Sequence, residues 1–395
     1  MNNFWEKLNT PFFVLAPMAD VTDPAFRRVI AKYGKPDVTW TEFVSADGLA
    51  HPVAREKLIR DLAYTEGERP IVAQLFSSHP EQMRIAAKVV AEMGYDGIDI
   101  NMGCPDRSIE KQGAGAAMIK TPEISAQIIQ AAKDGIKDAG KDIPLSVKTR
   151  VGYNQVQIDE WIPFLLSQDI ATLTVHARTR KELSSVPANW SYIKKVVEIR
   201  NKMGVKTKII GNGDVHNVAH GRQLAVETGC DGVMIGRAIF GNPWLFANIA
   251  DVGHPSNIEH PVSFFSGIEK LFIKIKNKIK YTFVAQSRNS AESSECATGK
   301  NTLKNDSGVA VEDAHKYWLQ AESVIPVPER LRVLVEHTKL YEELLGDIKS
   351  FSIMKKHYKA YCNGFPGAKE LRMQLMDSSS AEEVDKIVAA FLKTL

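Results

Sequence analysis

Eight short apolar runs, each followed by a longer helix-like stretch, fill residues 13–250, and no other feature constrains the fold as tightly. The runs are Phe13–Met18 (FVLAPM), Val38–Phe43 (VTWTEF), Ile71–Phe76 (IVAQLF), Gly97–Met102 (GIDINM), Leu145–Val151 (LSVKTRV), Thr172–Ala177 (TLTVHA), Lys208–Gly213 (KIIGNG) and Gly232–Arg237 (GVMIGR). Each is bounded by Gly, Pro or polar turn residues, the pattern of a parallel strand covered on both faces. Among the intervening segments, Pro80–Met93 and Pro122–Asp138 begin with proline, which suits a first helical turn whose amide has no intrahelical partner. Eight strand–helix units of this size match a closed (β/α)8 barrel. A doubly wound open sheet more often stops at about five or six strands. The predicted fold is therefore α/β: a TIM barrel over residues 1–261, followed by a small C-terminal α-helical bundle over residues 262–395.

In such a barrel the chemistry gathers at the C-terminal strand ends. Pro17 and Met18 end the first run and Gln74 lies late in the third. Asn101, Gly103 and Cys104 close the fourth, Lys148 and Arg150 the fifth, and His176 and Arg178 the sixth. Asn212, Gly213 and Asp214 end the seventh, Gly236 and Arg237 the eighth. Glycines where helices begin after strands seven and eight offer backbone amides to a phosphate, and Arg237 adds a guanidinium; each glycine alone also serves as a turn device. Lys148 in an apolar strand needs a partner for its charge, either a bound anion or solvent at the strand end. His176 could meet a phosphate or ring atom or be structural, and no metal-like spacing accompanies it. Cys104 sits between Gly103 and Pro105 at the rim, not among apolar neighbours, and no base adjoins it. A general acid is thus a more economical role for its thiol than a nucleophile. Downstream, Gly113–Met118 (GAGAAM) reads as a glycine-hinged loop able to cover a substrate.

Composition narrows the class. The 395 residues are 44% apolar and 25% charged, ordinary for a globular protein, and the net charge of +3 does not itself declare a nucleic-acid binder. Residues 1–261 hold 30 basic and 30 acidic side chains, leaving 20 and 17 in the remainder, so the surplus belongs to the C-terminal part. There, Phe264–Val284 interleaves apolar residues with Lys270, Lys274, Lys276, Lys278 and Lys280, either a solvated face or a track for a phosphodiester backbone. Residues 286–315 read as a flexible polar insertion, and helix-like segments resume at Pro328–Leu345, Ile348–Cys362, Ala368–Met376 and Ala381–Leu395. Four scattered cysteines, no membrane-length apolar run and no secretory leader point to a cytoplasmic protein without a metal site or membrane association, expected to be a monomer.

Taken together, the motifs resemble those of the tRNA-dihydrouridine synthases, flavin enzymes that reduce uridines in tRNA. The resemblance rests on Leu15–Arg27 (LAPMADVTDPAFR), Ala73–Phe76 (AQLF), Asp99–Pro105 (DINMGCP), Val147–Gly152 (VKTRVG), Val175–Arg180 (VHARTR), Asn212–Asp214 (NGD) and Ile235–Phe246 (IGRAIFGNPWLF). It implies a barrel holding FMN, NADPH or NADH as reductant, and a helical domain that helps bind tRNA. Carried over by residue, Pro17, Met18 and Ala19 line the flavin, Gln74 and His176 contact it, and Lys148 faces the N1/O2 side of its ring. Asn212, Gly213, Asp214, Gly236 and Arg237 hold its phosphate. Asn101, Arg150 and Arg178 lie by the uridine, and Cys104 protonates its C5 after hydride reaches C6. Lys181–Trp190 (KELSSVPANW) departs from the family's usual stretch at that position. An FMN barrel acting on a free pyrimidine, and a tRNA-binding barrel without turnover, are the competing expectations.

Overall fold

The computed structural model describes residues 3–247 and 325–395. Its eight strands are β1 (Phe12–Leu15), β2 (Thr39–Ser45), β3 (Ile71–Phe76), β4 (Gly97–Met102), β5 (Leu145–Arg150), β6 (Thr172–His176), β7 (Lys208–Asn212) and β8 (Gly232–Ile235). All pair in parallel in the order β1-β8-β7-β6-β5-β4-β3-β2. A parallel bridge between Val14 and Val38, with the Leu15 amide donating to the Val38 carbonyl at 3.2 Å, closes the ring. This is the expected TIM barrel.

Side chains alternate across each strand, which separates two cores. One face joins the outer helices in a large apolar shell. The other fills the barrel, and its lower layers are apolar: Phe12, Val14, Trp40, Val72, Ile210 and Met234. An N-terminal 3-10 turn (Phe4–Lys7) plugs this end with Trp5, its ring centroid 5.5 Å from that of Trp40. The interior positions nearest the C-terminal strand ends are polar instead, among them Gln74, Asp99, Asn101, Lys148 and His176. A sealed bottom and a polar mouth leave one face for chemistry.

The C-terminal helices Val327–Leu345, Met354–Tyr361, Ala368–Asp377 and Ala381–Leu392 follow the predicted segments, except that Ile348–Cys362 divides into a 3-10 turn (Phe351–Ile353) and a helix. The first of them, Val327–Leu345, packs on the barrel's first helix, Pro24–Tyr33. Lys32 and Tyr33 both reach Glu336 (2.7 and 2.6 Å), and Lys349 bridges Glu42 and Asp61, each at 2.9 Å. Gly241 (φ +68°) lies where a Cβ would come within 2.5 Å of the Ala360 backbone, so only glycine allows that approach. The basic run Phe264–Val284, the insertion 286–315 and the expected boundary at 261/262 lie outside the described residues. Among the described residues, no helix is long and apolar enough to cross a membrane, and no three His, Cys, Asp or Glu side chains are grouped to hold a metal ion.

Candidate active site

A directed chain of hydrogen bonds crosses the mouth from β5 to the loop after β4. Asp99 is wholly buried and accepts from Ser146 Oγ (2.6 Å) and Gln74 Nε2 (2.7 Å). Burial lifts its carboxyl to about 6, against the lowering effect of Ser146, Gln74 and Lys148. Gln74 Oε1 accepts from Asn101 Nδ2 (3.0 Å), and Asn101 Oδ1 accepts from the amides of Gly103 (3.1 Å) and Cys104 (2.9 Å). The Cys104 carbonyl accepts from the Ala116 amide at 2.9 Å, so the rim cysteine is held on both sides. Its thiol is partly buried near Phe76, Ile109 and Ala114, and burial raises its pKa. At neutral pH it therefore carries its proton, which suits a donor better than a nucleophile.

Lys148 lies opposite Asn101 in the strand register. Burial and the nearby Arg150 push its ammonium down to about 8, opposed by Asp99 and Cys104. It has no hydrogen bond or ion pair with any described residue. Arg150 is spent on the framework: its guanidinium donates to the carbonyls of Gly103 (2.8 Å), Thr179 (3.1 Å) and Leu183 (3.4 Å), tying the β4 loop to the β6 loop. Arg178, 3% exposed, donates to the Val186 carbonyl (2.7 Å), to Asp214 and to His176 Nε2 (3.1 Å). An arginine can only donate, so His176 Nε2 accepts and its proton sits on Nδ1. Burial, then the charges of Arg150, Lys148, Arg178 and Arg237, hold His176 neutral, well below the ordinary histidine range.

The last two strand ends form a cradle. Gly213 has φ +129°, and a Cβ there would lie 2.7 Å from the Ala188 Cβ and 3.2 Å from His176 Cδ2. Asp214 accepts from Arg237 (2.6 Å), from Arg178 and from the Ala188 amide (2.9 Å), and Trp190 Nε1 donates to the Gly213 carbonyl (2.9 Å). Thus the departing Lys181–Trp190 stretch still ends in groups that brace this loop. Asn212 donates its amide to the Met234 carbonyl (2.9 Å), and the 3-10 turn Arg237–Ile239 begins at Gly236 with no side-chain cap. Beside that turn, Met18 Sδ would be 3.6 Å from a Gly236 Cβ; Pro17 is buried and Ala19 exposed. An unpaired ammonium, the three guanidiniums of Arg150, Arg178 and Arg237, a neutral imidazole and a glycine-lined turn fit an anionic ring and phosphate, as a flavin nucleotide presents.

Three features differ from the sequence reading or escaped it. Gly113–Met118 is no mobile cover: Gly115–Lys120 forms a 3-10 turn whose Ala116 and Met118 are buried, and a Gly115 Cβ would sit 2.7 Å from the Cys104 carbonyl. It supports the cysteine from below. Asp99 has no role in the sequence reading, although an acid inside an apolar strand, two residues from Asn101 and so on the same face, is a readable signal. Glu110, which holds Arg180 at 2.8 Å across the mouth, gave no such signal, because the two are 70 residues apart.

The dihydrouridine synthase family profile matches residues 14–294 and 295–395. The chain belongs to the dihydrouridine synthase family. It is 33% identical over 390 residues to the "Probable tRNA-dihydrouridine synthase" of Staphylococcus aureus (strain MRSA252), covering 98% of this chain and 95% of that protein. It is 44% identical over 245 residues to the "Probable tRNA-dihydrouridine synthase 2" of Bacillus subtilis (strain 168), covering 62% of this chain and 74% of the relative. A dihydrouridine synthase is a flavin-dependent oxidoreductase that reduces uridine in tRNA. In this family member the match continues through both described parts of the chain.

Proposed function

We propose that this dihydrouridine synthase binds FMN across the barrel mouth and protonates C5 of the target uracil from Cys104, with NADPH or NADH as reductant. Bound FMN supplies the hydride that the uracil receives at C6. Lys148 faces the electron-rich N1/O2 edge of the ring, where its unpaired ammonium stabilises negative charge. Gln74 and His176 fix the ring's orientation, while Pro17, Met18 and Ala19 line it. Gly213, Gly236 and Arg237 hold the phosphate, and Asn212 and Asp214 act one step back, bracing strand and arginines. Asn101 has a second amide hydrogen for the uracil, and Arg150 and Arg178 shape its pocket by fixing the loops around it. The target base must leave its stack to enter. The C-terminal part, with its basic surplus, binds the tRNA body, and the protein works as a monomer in the cytoplasm.

The observation that carries this reading is a partly buried cysteine, its backbone anchored on both sides, at the same rim as an unpaired lysine. Purified protein, NADPH and unmodified tRNA provide the test, with dihydrouridine mapped by position. Cys104→Ala should retain yellow flavin and lose most product. An unchanged single-turnover rate on tRNA would refute the acid assignment. Folded protein without flavin absorbance, or turnover of free uracil with none on tRNA, would refute the wider reading.

A further inference from the structure

Gln74 and Asn101 each carry an amide that can face either way, and neither strand geometry nor packing fixes the choice. The groups at the two ends of their chain do. Backbone N–H groups of Gly103 and Cys104 stand at one end and accept nothing, so Asn101 must offer Oδ1 to them. At the other end the Asp99 carboxylate donates nothing, so Gln74 must offer Nε2 to it. Only then does Gln74 Oε1 meet Asn101 Nδ2, at 3.0 Å. Turning either amide over sets donor against donor in a buried place.

We propose that Asp99 is a positioning residue for Cys104: its carboxylate sets the hydrogen-bond direction through Gln74 and Asn101 to the two amides that hold the thiol at the rim. Ser146 Oγ, on the second carboxylate oxygen at 2.6 Å, keeps the acid turned toward Gln74. Asp99 needs no contact with substrate or flavin for this. The proposal deepens the reading of Cys104 as the proton donor and rests on it for its catalytic consequence, but not for its effect on the loop.

Two substitutions separate direction from charge. Asp99→Ala removes the acceptor and frees the Gln74 amide to turn. Asp99→Asn keeps one oxygen for Gln74, while the Ser146 hydroxyl turns to accept from the new amide. In flavin-loaded protein without tRNA, alkylation of Cys104 by iodoacetamide is followed by mass spectrometry of its peptide. Asp99→Ala should speed alkylation by on the order of tenfold and slow single turnover on tRNA by a similar factor. Asp99→Asn should stay near wild type in both. Equal impairment by the two variants would overturn the proposal, because charge toward Lys148 would then be the operative property. Wild-type alkylation in Asp99→Ala would also overturn it. If Asp99→Ala does not fold, a fast-alkylating Asp99→Asn alone refutes the proposal and a wild-type-like one supports it. Faster alkylation with unchanged turnover would uphold the positioning role and reject Cys104 as the acid.

Discussion

Where the C-terminal helices meet the barrel, two histidines lie in the apolar core with no polar partner among the described residues. His337, on helix Val327–Leu345, stacks on Phe26 with ring centroids 4.8 Å apart, and His357, on helix Met354–Tyr361, meets the same ring edge-on at 4.9 Å. The imidazoles are 4.6 Å from each other, and Tyr361 and Phe240 complete the surroundings. Both are wholly buried, and none of their four ring nitrogens has a hydrogen-bond partner among the described residues. The charge facing the pair is that of Lys356, which opposes protonation of His357, as each histidine's charge would oppose the other's. Burial pushes His357 down to about 3 and His337 well below its ordinary value. A histidine depressed in the folded state contributes fully above its unfolded pKa and loses that contribution as pH falls. With an unfolded value of about 6.5, each ring that stays neutral withdraws about 2 kcal/mol of stability between pH 7 and pH 5, or about 4 kcal/mol for the pair. That is a large share of a typical stability of about 5–15 kcal/mol. Asp23, lifted to about 7, and Asp99, lifted to about 6, work in the opposite sense, so wild-type pH dependence alone decides nothing. The difference between wild type and variant isolates the histidines. His357→Leu conserves volume approximately and removes two unpartnered nitrogens. By urea unfolding followed with tryptophan fluorescence, it should gain about 2 kcal/mol on wild type between pH 7 and pH 5, and adding His337→Leu about 4 kcal/mol. Parallel pH dependence in wild type and variants would refute the account.

Two further substitutions probe the cradle and the barrel's first helix. Gly213→Ala places a Cβ 2.7 Å from Ala188 at a φ that side chains rarely adopt, so strain of about 1–3 kcal/mol should loosen flavin by about five- to 150-fold with the fold intact. Unchanged flavin dissociation would mean that this turn is not the phosphate cradle. Arg27, fully buried and 2.9 Å from an equally buried Glu68, also holds the carbonyls of Thr22 and Ala63. Arg27→Met strands the Glu68 charge and should cost about 3–5 kcal/mol in urea unfolding, most of it recovered on adding Glu68→Gln. No recovery would show that the carbonyl contacts, not the charge pair, carry the stability.

The strands were legible because burial on both faces writes a near-continuous apolar run that few other elements share. Ile71–Phe76 and Gly97–Met102 match the structure residue for residue, whereas Phe13–Met18 and Gly232–Arg237 overran their ends. Apolar character continues into Ala16–Met18, but strand pairing stops where Leu15 meets Ile235. Hydropathy reports burial, and Ala16 and Pro17 after β1 are buried without belonging to a strand. The same limit explains Gly113–Met118. Its glycines do adopt left-handed backbone, yet at Gly115 that freedom serves a close approach to Cys104 and not motion. Sequence alone does not distinguish these uses of glycine, since both require the missing Cβ.

The site divides more instructively. Residue type and strand position were enough to place Lys148, His176 and Cys104 at one mouth, because side-chain alternation and the barrel's closure leave few other positions for them. What each polar group bonds to was not legible, because partners come from loops whose paths depend on tertiary packing. Arg150 and Arg178 are therefore placed near the substrate by the family resemblance, with no partners legible in the sequence. Folded, they donate to carbonyls of the β4 and β6 loops, leaving Lys148 as the mouth's unpaired interior cation among the described residues. This allocation has a chemical consequence. Guanidiniums remain charged throughout, so they can hold loops and maintain the positive field that adds to burial in keeping His176 neutral. The lysine, already depressed to about 8 by burial and by Arg150, is the cation whose protonation an arriving anion can stabilise. The barrel thus uses the permanent charges of Arg150 and Arg178 as framework, and in the proposed reading leaves the adjustable Lys148 for the ligand.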